Sequence, residues 1–354
     1  MLSFLKETED IYEYLLRTGK PVVIYGMGNG ADKVFDVFKA KGIDISAVFA
    51  SDDFVRGQVF RGFKVKRFLE IQSEFDDFTI VPAFATCIPD VMRRIESLDE
   101  KYDLRFLELP VIGKEPMDRL WFLKNERDII AAGKLFYDDF SRKVYEGLLN
   151  FRFSGKLKYI REITTKREEA FSLMNMTKNE VYADFGAYDG DTIRELADIT
   201  GGYKSVLAVE PDRRNYRKLC AFCEKEKNIT PVNCAVSDKS GVLRFNDKAG
   251  RNSSFDEDGR AEVSVKSPDE LFSLYDFSDV GYVKMDVEGA EEAALLGMKN
   301  TIKNVKPKLA VSAYHRSCDV FALPLLIKKL NPEYCVSLRK HPYYPGWETS
   351  VYCW

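Results

Sequence analysis

The sequence predicts an α/β fold built twice along 354 residues, a smaller Rossmann-like unit in front and a larger doubly wound one behind. Two observations carry that expectation. Short β-branched runs alternate with stretches whose apolar residues recur at helical spacing, the pattern of parallel sheets covered by helices. Twice, moreover, a buried-looking strand ends in a glycine turn that opens a helix, at Gly26–Gly30 and again at Gly186–Gly190.

In the first section, residues 1–112, Val22-Val23-Ile24-Tyr25 reads as a buried strand closed by Gly26, Gly28 and Gly30. A helical stripe follows over 31–40, and further buried strands are expected at 45–50 and 78–82. Residues 113–179 are rich in charge and helix formers and read as a helical linker. Within them Arg152 and Lys156 flank Gly155, a spot that suits either a ligand or a solvated turn. From Val181 the alternation resumes to the end of the chain. Strands are expected at 181–185, 205–210, 230–236, 280–286, 307–313, 334–340 and 348–353, and helices at 190–198, 213–226, 288–303 and 319–330. Short polar strands interrupt the series over 241–268. The last two strands, joined through His341-Pro342-Tyr343-Tyr344-Pro345-Gly346, suggest an antiparallel edge.

Composition narrows the function classes. The chain is 45% hydrophobic and 31% charged with a formal net charge of -3, which fits a globular protein and offers no basic footprint for nucleic acid. Met1–Lys20 lacks the cationic start and apolar run of a signal peptide. No stretch reaches the roughly 18 apolar residues of a membrane span. Seven scattered cysteines suit a reducing compartment, so a cytoplasmic location is expected. Cys220 and Cys223 form a C-x-x-C with Cys234 as the one nearby candidate ligand, too few for a zinc set, and no metal site is expected.

The densest chemical signal is Asp184-Phe185-Gly186-Ala187-Tyr188-Asp189-Gly190-Asp191-Thr192. Glycines let the backbone approach a ligand closely, and the helix start beyond them offers free N–H groups to an anion. Asp184 and Asp189 are acceptors, suited to an ammonium group; a phosphate loop would avoid acids there. A zwitterionic amino-acid moiety fits, its carboxylate met by the helix start and Thr192. Glu210 ends a strand 20 residues after Gly190, where doubly wound folds hold ribose hydroxyls on an acid. Cys234 and Ala235, after the next strand, can frame an adenine ring. Asp286 and Glu288 end a later buried strand and should face the cleft beyond the strand ends, as should His315. Glu292 fits the first turn of a helix, where acids are favoured. These features point to S-adenosylmethionine (SAM). Asp286 counts among its contacts, and His315, Asp286 and Glu288 are the catalytic candidates, His315 the first choice of base. A magnesium-assisted variant on Asp286 and nearby acids would be revealed by chelation.

In this order the elements resemble the FkbM family of SAM-dependent methyltransferases. The likeness rests on the 184–192 run, Val209-Glu210-Pro211-Asp212, Lys284-Met285-Asp286-Val287-Glu288-Gly289-Ala290-Glu291, Tyr314-His315 and Leu338-Arg339-Lys340-His341. It spans roughly residues 150–354. It implies a class I, seven-stranded, doubly wound methyltransferase domain over 180–354. It also implies O-methylation of a hydroxyl on a sugar, glycan or related metabolite.

The front unit matches G-x-G-x-x-A at Gly26–Ala31, with Asp52 or Asp53 as the expected acid. A nucleotide or nucleotide-sugar site, an NAD site and a structural or homo-oligomer contact compete there. The rival for the whole chain is therefore an NAD-dependent sugar-nucleotide oxidoreductase or epimerase. That chemistry wants a Tyr-x-x-x-Lys pair, and neither Tyr203-Lys204 nor Tyr216-Arg217-Lys218 supplies it.

Overall fold

A computed structural model describes residues 3–113, 115–246, 254–255 and 261–354. By its internal contacts the chain divides into two units. One holds Met1–Lys134, Asp139–Thr165 and Lys340–Glu348; the other holds Leu135–Asp138, Lys166–Arg339 and Thr349–Trp354.

In the first unit, Val22, Val23, Ile24 and Tyr25 are all buried, as a strand covered on both faces must be. They form β1 (Val22–Tyr25), which with β2 (Ala47–Phe49), β4 (Phe63–Lys66), β5 (Thr79–Pro82) and β6 (Asp103–Leu104) makes a parallel sheet. β3 (Val59–Phe60) closes one edge as the antiparallel partner of β4, giving the order β3-β4-β2-β1-β5-β6. Gly26 has a φ of 121°, and a side chain there would press on Phe84. One at Gly30 would stand 2.3 Å from the carbonyl oxygen of Ala83. Two of the three fingerprint glycines thus have a packing reason inside the unit. Asp52 and Asp53 lie in a short 3-10 turn with exposed side chains.

The expected linker over 113–179 does form helices, at Arg119–Lys124, Glu126–Gly133, Asp139–Ser154, Lys158–Arg161 and Arg167–Leu173. It does not stand apart, because its apolar faces are divided between the two units. In the first unit Phe153 packs edge-on against Phe122 at 5.3 Å, and Phe151 meets Phe106 at 6.0 Å. Arg152 is neither a ligand arm nor a solvated turn residue. It is buried in an ion pair 3.0 Å from Glu108, and Lys156 bonds Glu7 at 2.6 Å.

The second unit carries a seven-stranded sheet from β7 (Val181–Phe185), β8 (Ser205–Val209), β9 (Ile229–Val232), β14 (Tyr282–Met285), β15 (Lys308–Ser312), β16 (Val336–Lys340) and β17 (Thr349–Cys353). Its order is β16-β17-β15-β14-β7-β8-β9. β7, β8, β9, β14 and β15 run parallel and β17 antiparallel to β15. The order reverses beside β7, and in open sheets a ligand crevice forms beyond the strand ends at such a switch.

Two expected elements break for visible reasons. The run 230–236 divides after Val232: β10 (Ala235–Val236) leaves to pair with β13 (Ala261–Lys266) in a second sheet, which also holds β11 (Gly241–Asn246) and β12 (Ser254–Phe255). The expected helix over 288–303 becomes Glu291–Gly297 and Lys299–Asn304. Gly297 passes so close to Ser237 that a side chain would sit 2.2 Å from its carbonyl oxygen. The polar strands expected over 241–268 are present at β11 to β13; residues 247–253 and 256–260 of that span lie outside the described residues.

Candidate active site

β7 and β14 are neighbours in register, with Lys284 directly opposite Asp184. That register alone brings the two side chains together: Nζ of Lys284 lies 3.2 Å from Oδ1 of Asp184 and donates to the carbonyl of Gly186 at 2.8 Å. Thr192 donates its hydroxyl to Oδ2 of Asp184 at 2.5 Å. Burial works against the charge on Lys284, but Asp184 and Asp286 outweigh it and keep the ammonium ionised. Asp184 is fully enclosed, so the contact with a ligand ammonium expected of it is not what its position offers. It holds the glycine turn from below, and Thr192 is engaged with it rather than aimed at a ligand.

The turn itself is built from hydrogen bonds and positive φ values. The N–H groups of Gly186 and Ala187 both donate to the carbonyl of Val209, and that of Gly190 donates to Ala187. Gly186, Tyr188 and Gly190 take φ values of 82°, 49° and 88°, and the helix Asp191–Thr200 begins at once. Ala187 is buried, whereas Asp189 is partly exposed and pairs with Arg194 at 2.8 Å.

Glu210 follows β8 with little exposure. Its two oxygens accept from the backbone N–H of Tyr188 at 3.0 Å and of Asp212 at 2.9 Å. Burial pushes its carboxyl up to about 7 against those bonds. Each oxygen keeps a second lone pair for a ligand hydroxyl. Asn233 fixes the same corner by donating to the carbonyls of Glu210 and Pro211. Cys234 and Ala235 are buried just beyond it.

At the end of β14, the side chain of Asp286 is 28% exposed, and Tyr314 donates to its Oδ1 at 3.3 Å. Burial opposes its ionisation, yet Lys284 and His315 hold the carboxyl below the usual range. His315 is buried after β15. Its Nε2 lies 3.3 Å from Asp286 and 3.6 Å from Glu288, and its Nδ1 lies 2.9 Å from Glu291. Burial disfavours a charged ring, but the carboxylates of Glu291, Asp286 and Glu288 raise it to about 10. These carboxylates favour the protonated imidazole, which weighs against the neutral ring that a general base at His315 needs. Glu288 sits in a tight turn with a φ of 51°, strained for a residue with a side chain.

Of the residues expected from sequence, Gly186, Ala187, Asp189, Gly190, Glu210 and Asp286 stand at the ends of three adjacent strands, β8-β7-β14. Cys234 and Ala235 follow β9. His315 and Glu288 flank Asp286. Lys284, Glu291, Asn233 and Tyr314 are the additions. The strand register would have found Lys284; nothing local singles out Asn233. Cys220, Cys223 and Cys234 form no metal-ligating group among the described residues, and their thiols are free.

Residues 184–332 match the family model for the Methyltransferase FkbM domain. The second unit carries an FkbM methyltransferase domain. The chain is similar in structure to a methyltransferase FkbM from Methylobacillus flagellatus KT, at a TM-score of 0.74 and 21% identity over 98% of this chain and 94% of that one. The likeness therefore extends to the fold in front of the FkbM domain as well. More distant are a precorrin-6y C5,15-methyltransferase from Geobacter metallireducens GS-15 (TM-score 0.33, 13% identity, 55% of this chain and 94% of that one) and a fibrillarin from Aeropyrum pernix (TM-score 0.35, 12% identity, 52% and 73%). No curated protein matches the sequence. Among the described residues no helix is long and apolar enough to cross a membrane.

Proposed function

We propose that the chain transfers the methyl group of SAM to a hydroxyl of a sugar, glycan or related small metabolite. The observation that carries this reading is Glu210, a nearly buried carboxylate held by two backbone N–H groups at the strand end beside the Gly186–Gly190 turn. A ribose diol fits the remaining lone pairs of such an acid, and the methionine carboxylate fits the start of the helix Asp191–Thr200. Ala187, Asp189, Cys234 and Ala235 line the path between them in this reading. Asp189 supplies the acceptor for the ammonium group in place of enclosed Asp184.

In the proposed reaction a lone pair of the acceptor oxygen attacks the methyl carbon. The carbon–sulfur bond breaks with its electrons going to sulfur, and the sulfonium leaves as a neutral thioether. The hydroxyl proton passes to Asp286, the partly exposed carboxylate of the cluster. Activation resides in the cofactor, so the chain mainly positions and desolvates. Positioning supplies about 7–11 kcal/mol, more than the 10²–10⁴-fold usual for a general base. Seven free thiols suit a reducing compartment, where we place the reaction, in the cytoplasm.

Calorimetry with SAM and with NAD tests the cofactor: binding of SAM is expected, and binding of NAD alone would overturn the reading. Labelled SAM with a panel of sugar nucleotides and glycan fragments, followed by mass spectrometry, then identifies the methylated oxygen.

A further inference from the structure

We propose that the ring of Tyr188 seats the sulfonium centre of SAM and so favours the charged methyl donor over the neutral thioether left after transfer. The proposal rests on the methyl-transfer reading and adds a residue and a selectivity to it. Among the described residues Tyr188 is the one aromatic side chain that starts from a positive φ, at 49°. A bulky residue is strained there, where glycine is not. Burial does not offset that strain, because Tyr188 is 43% exposed. Strain kept on an exposed ring points to a ligand.

Its place in the turn agrees with this role. The backbone N–H of Tyr188 donates to Oε2 of Glu210 at 3.0 Å, the carboxylate that takes the ribose diol in the proposed complex. Just beyond it Asp191 opens the helix that receives the methionine carboxylate. In SAM the sulfur is the atom that joins the ribose half to the methionine half. A ligand spanning those two anchors therefore carries its sulfonium across residues 187–189, and Tyr188 is the aromatic residue of that stretch.

The chemistry suits a ring. A sulfonium spreads its positive charge over the attached carbon atoms and has no N–H or O–H to donate. What stabilises it is negative potential at contact distance, and the face of an aromatic ring supplies that. The Tyr188 ring already meets a cation: Nζ of Lys218 stands over it, 5.2 Å from the centroid. Lys218 is exposed on the helix Arg213–Cys223, so its ammonium yields to a bound cation at little cost. The acids of the turn are engaged elsewhere. Asp184 is enclosed against Lys284, Asp189 pairs with Arg194, and Glu210 is given to the ribose. Transfer removes the charge, so the attraction ends once the methyl group has left, and the thioether departs more readily.

The test is calorimetry on the full chain with SAM and with S-adenosylhomocysteine, the neutral thioether, which differ by the methyl group and its charge. The native chain, Tyr188→Phe, Tyr188→Leu and Tyr188→Gly are compared by the ratio of the two dissociation constants. A merely structural role would weaken both ligands alike and leave the ratio unmoved. Tyr188→Leu and Tyr188→Gly should shift the ratio toward the thioether by at least about fivefold, and Tyr188→Phe by less than about twofold. Circular dichroism checks folding, and glycine accepts the φ of this position, so Tyr188→Gly decides the matter if the leucine variant does not fold. An unmoved ratio in either folded variant, or a Tyr188→Phe chain that shifts as far as Tyr188→Leu, overturns the proposal. A native chain that binds neither ligand overturns the methyl-transfer reading with it. SAM binding with an unmoved ratio ends this proposal alone.

Discussion

The carbonyl oxygen of Asp286 stands 1.9 Å from the point where a side chain on Gly186 would begin. The glycine turn after β7 and the acidic end of β14 are therefore one piece of architecture. Gly186 also has a φ of 82°, so alanine there meets a backbone penalty and a collision together. Gly201 separates the two effects: its φ is 81° and nothing lies within 4 Å of a built side chain. Gly201→Ala should cost only the backbone term, about 1–3 kcal/mol. Gly186→Ala should cost clearly more and should also weaken SAM binding. Thermal melts of both variants with calorimetry check this; equal melting temperatures would refute it.

Beneath the turn, Asp184 and Lys284 form a buried pair. Asp184→Asn leaves the ammonium of Lys284 without its nearest counter-charge. Breaking such a pair from one side typically destabilises by about 3–5 kcal/mol. Replacing both residues together, Asp184→Leu with Lys284→Met, should lose less than the single change, since no unmatched charge remains. Denaturant unfolding of the single and double variants measures the difference. A double variant less stable than Asp184→Asn would show that the pair contributes more than mutual neutralisation.

Much of this site was legible because its parts fall at strand ends. Gly186, Glu210 and Asp286 each follow a short apolar run, and the alternation of runs and helical stripes locates them beyond one edge of a parallel sheet. Direction was harder to read than place. Asp184 and Asp189 are both acids in one loop, but Asp184 still belongs to β7 and points into packed protein against Lys284. His315 lies beside Asp286, but its charge environment is set by Glu291, which is far from it in sequence and meets it only in the fold. The break after Val232 and the division of the 113–179 helices depend on partners that no local pattern names.

Glu288 tests whether strain at this site is retained for function. With a φ of 51° it occupies backbone that glycine takes without penalty. Glu288→Gly relieves about 1 kcal/mol of strain, while its half-exposed contact with His315, 3.6 Å away, contributes little. The melting temperature should hold or rise while methyl transfer falls. Lost stability with full activity would remove Glu288 from the catalytic set.

Glu210 should make SAM affinity depend on pH if it holds the ribose as proposed. Below 4.5 the carboxyl is protonated in folded and unfolded chains alike. Between 4.5 and about 7 the unfolded chain releases the proton while the folded one keeps it. The unfolded state then binds fewer protons, so stability falls as pH rises through that window, by about 3 kcal/mol in all. Above it both states are ionised and the loss is complete. Ligand binding runs the other way, because a ribose diol donates hydrogen bonds and the ionised carboxylate is the better acceptor. The Kd for SAM should tighten as pH rises from about 6 to about 8, approaching tenfold per unit on the acid side. Glu210→Gln should bind more weakly at pH 8 and lose the slope, since its amide does not titrate in this range. Calorimetry across that pH range decides it, and an unchanged slope in Glu210→Gln would assign the dependence to another group.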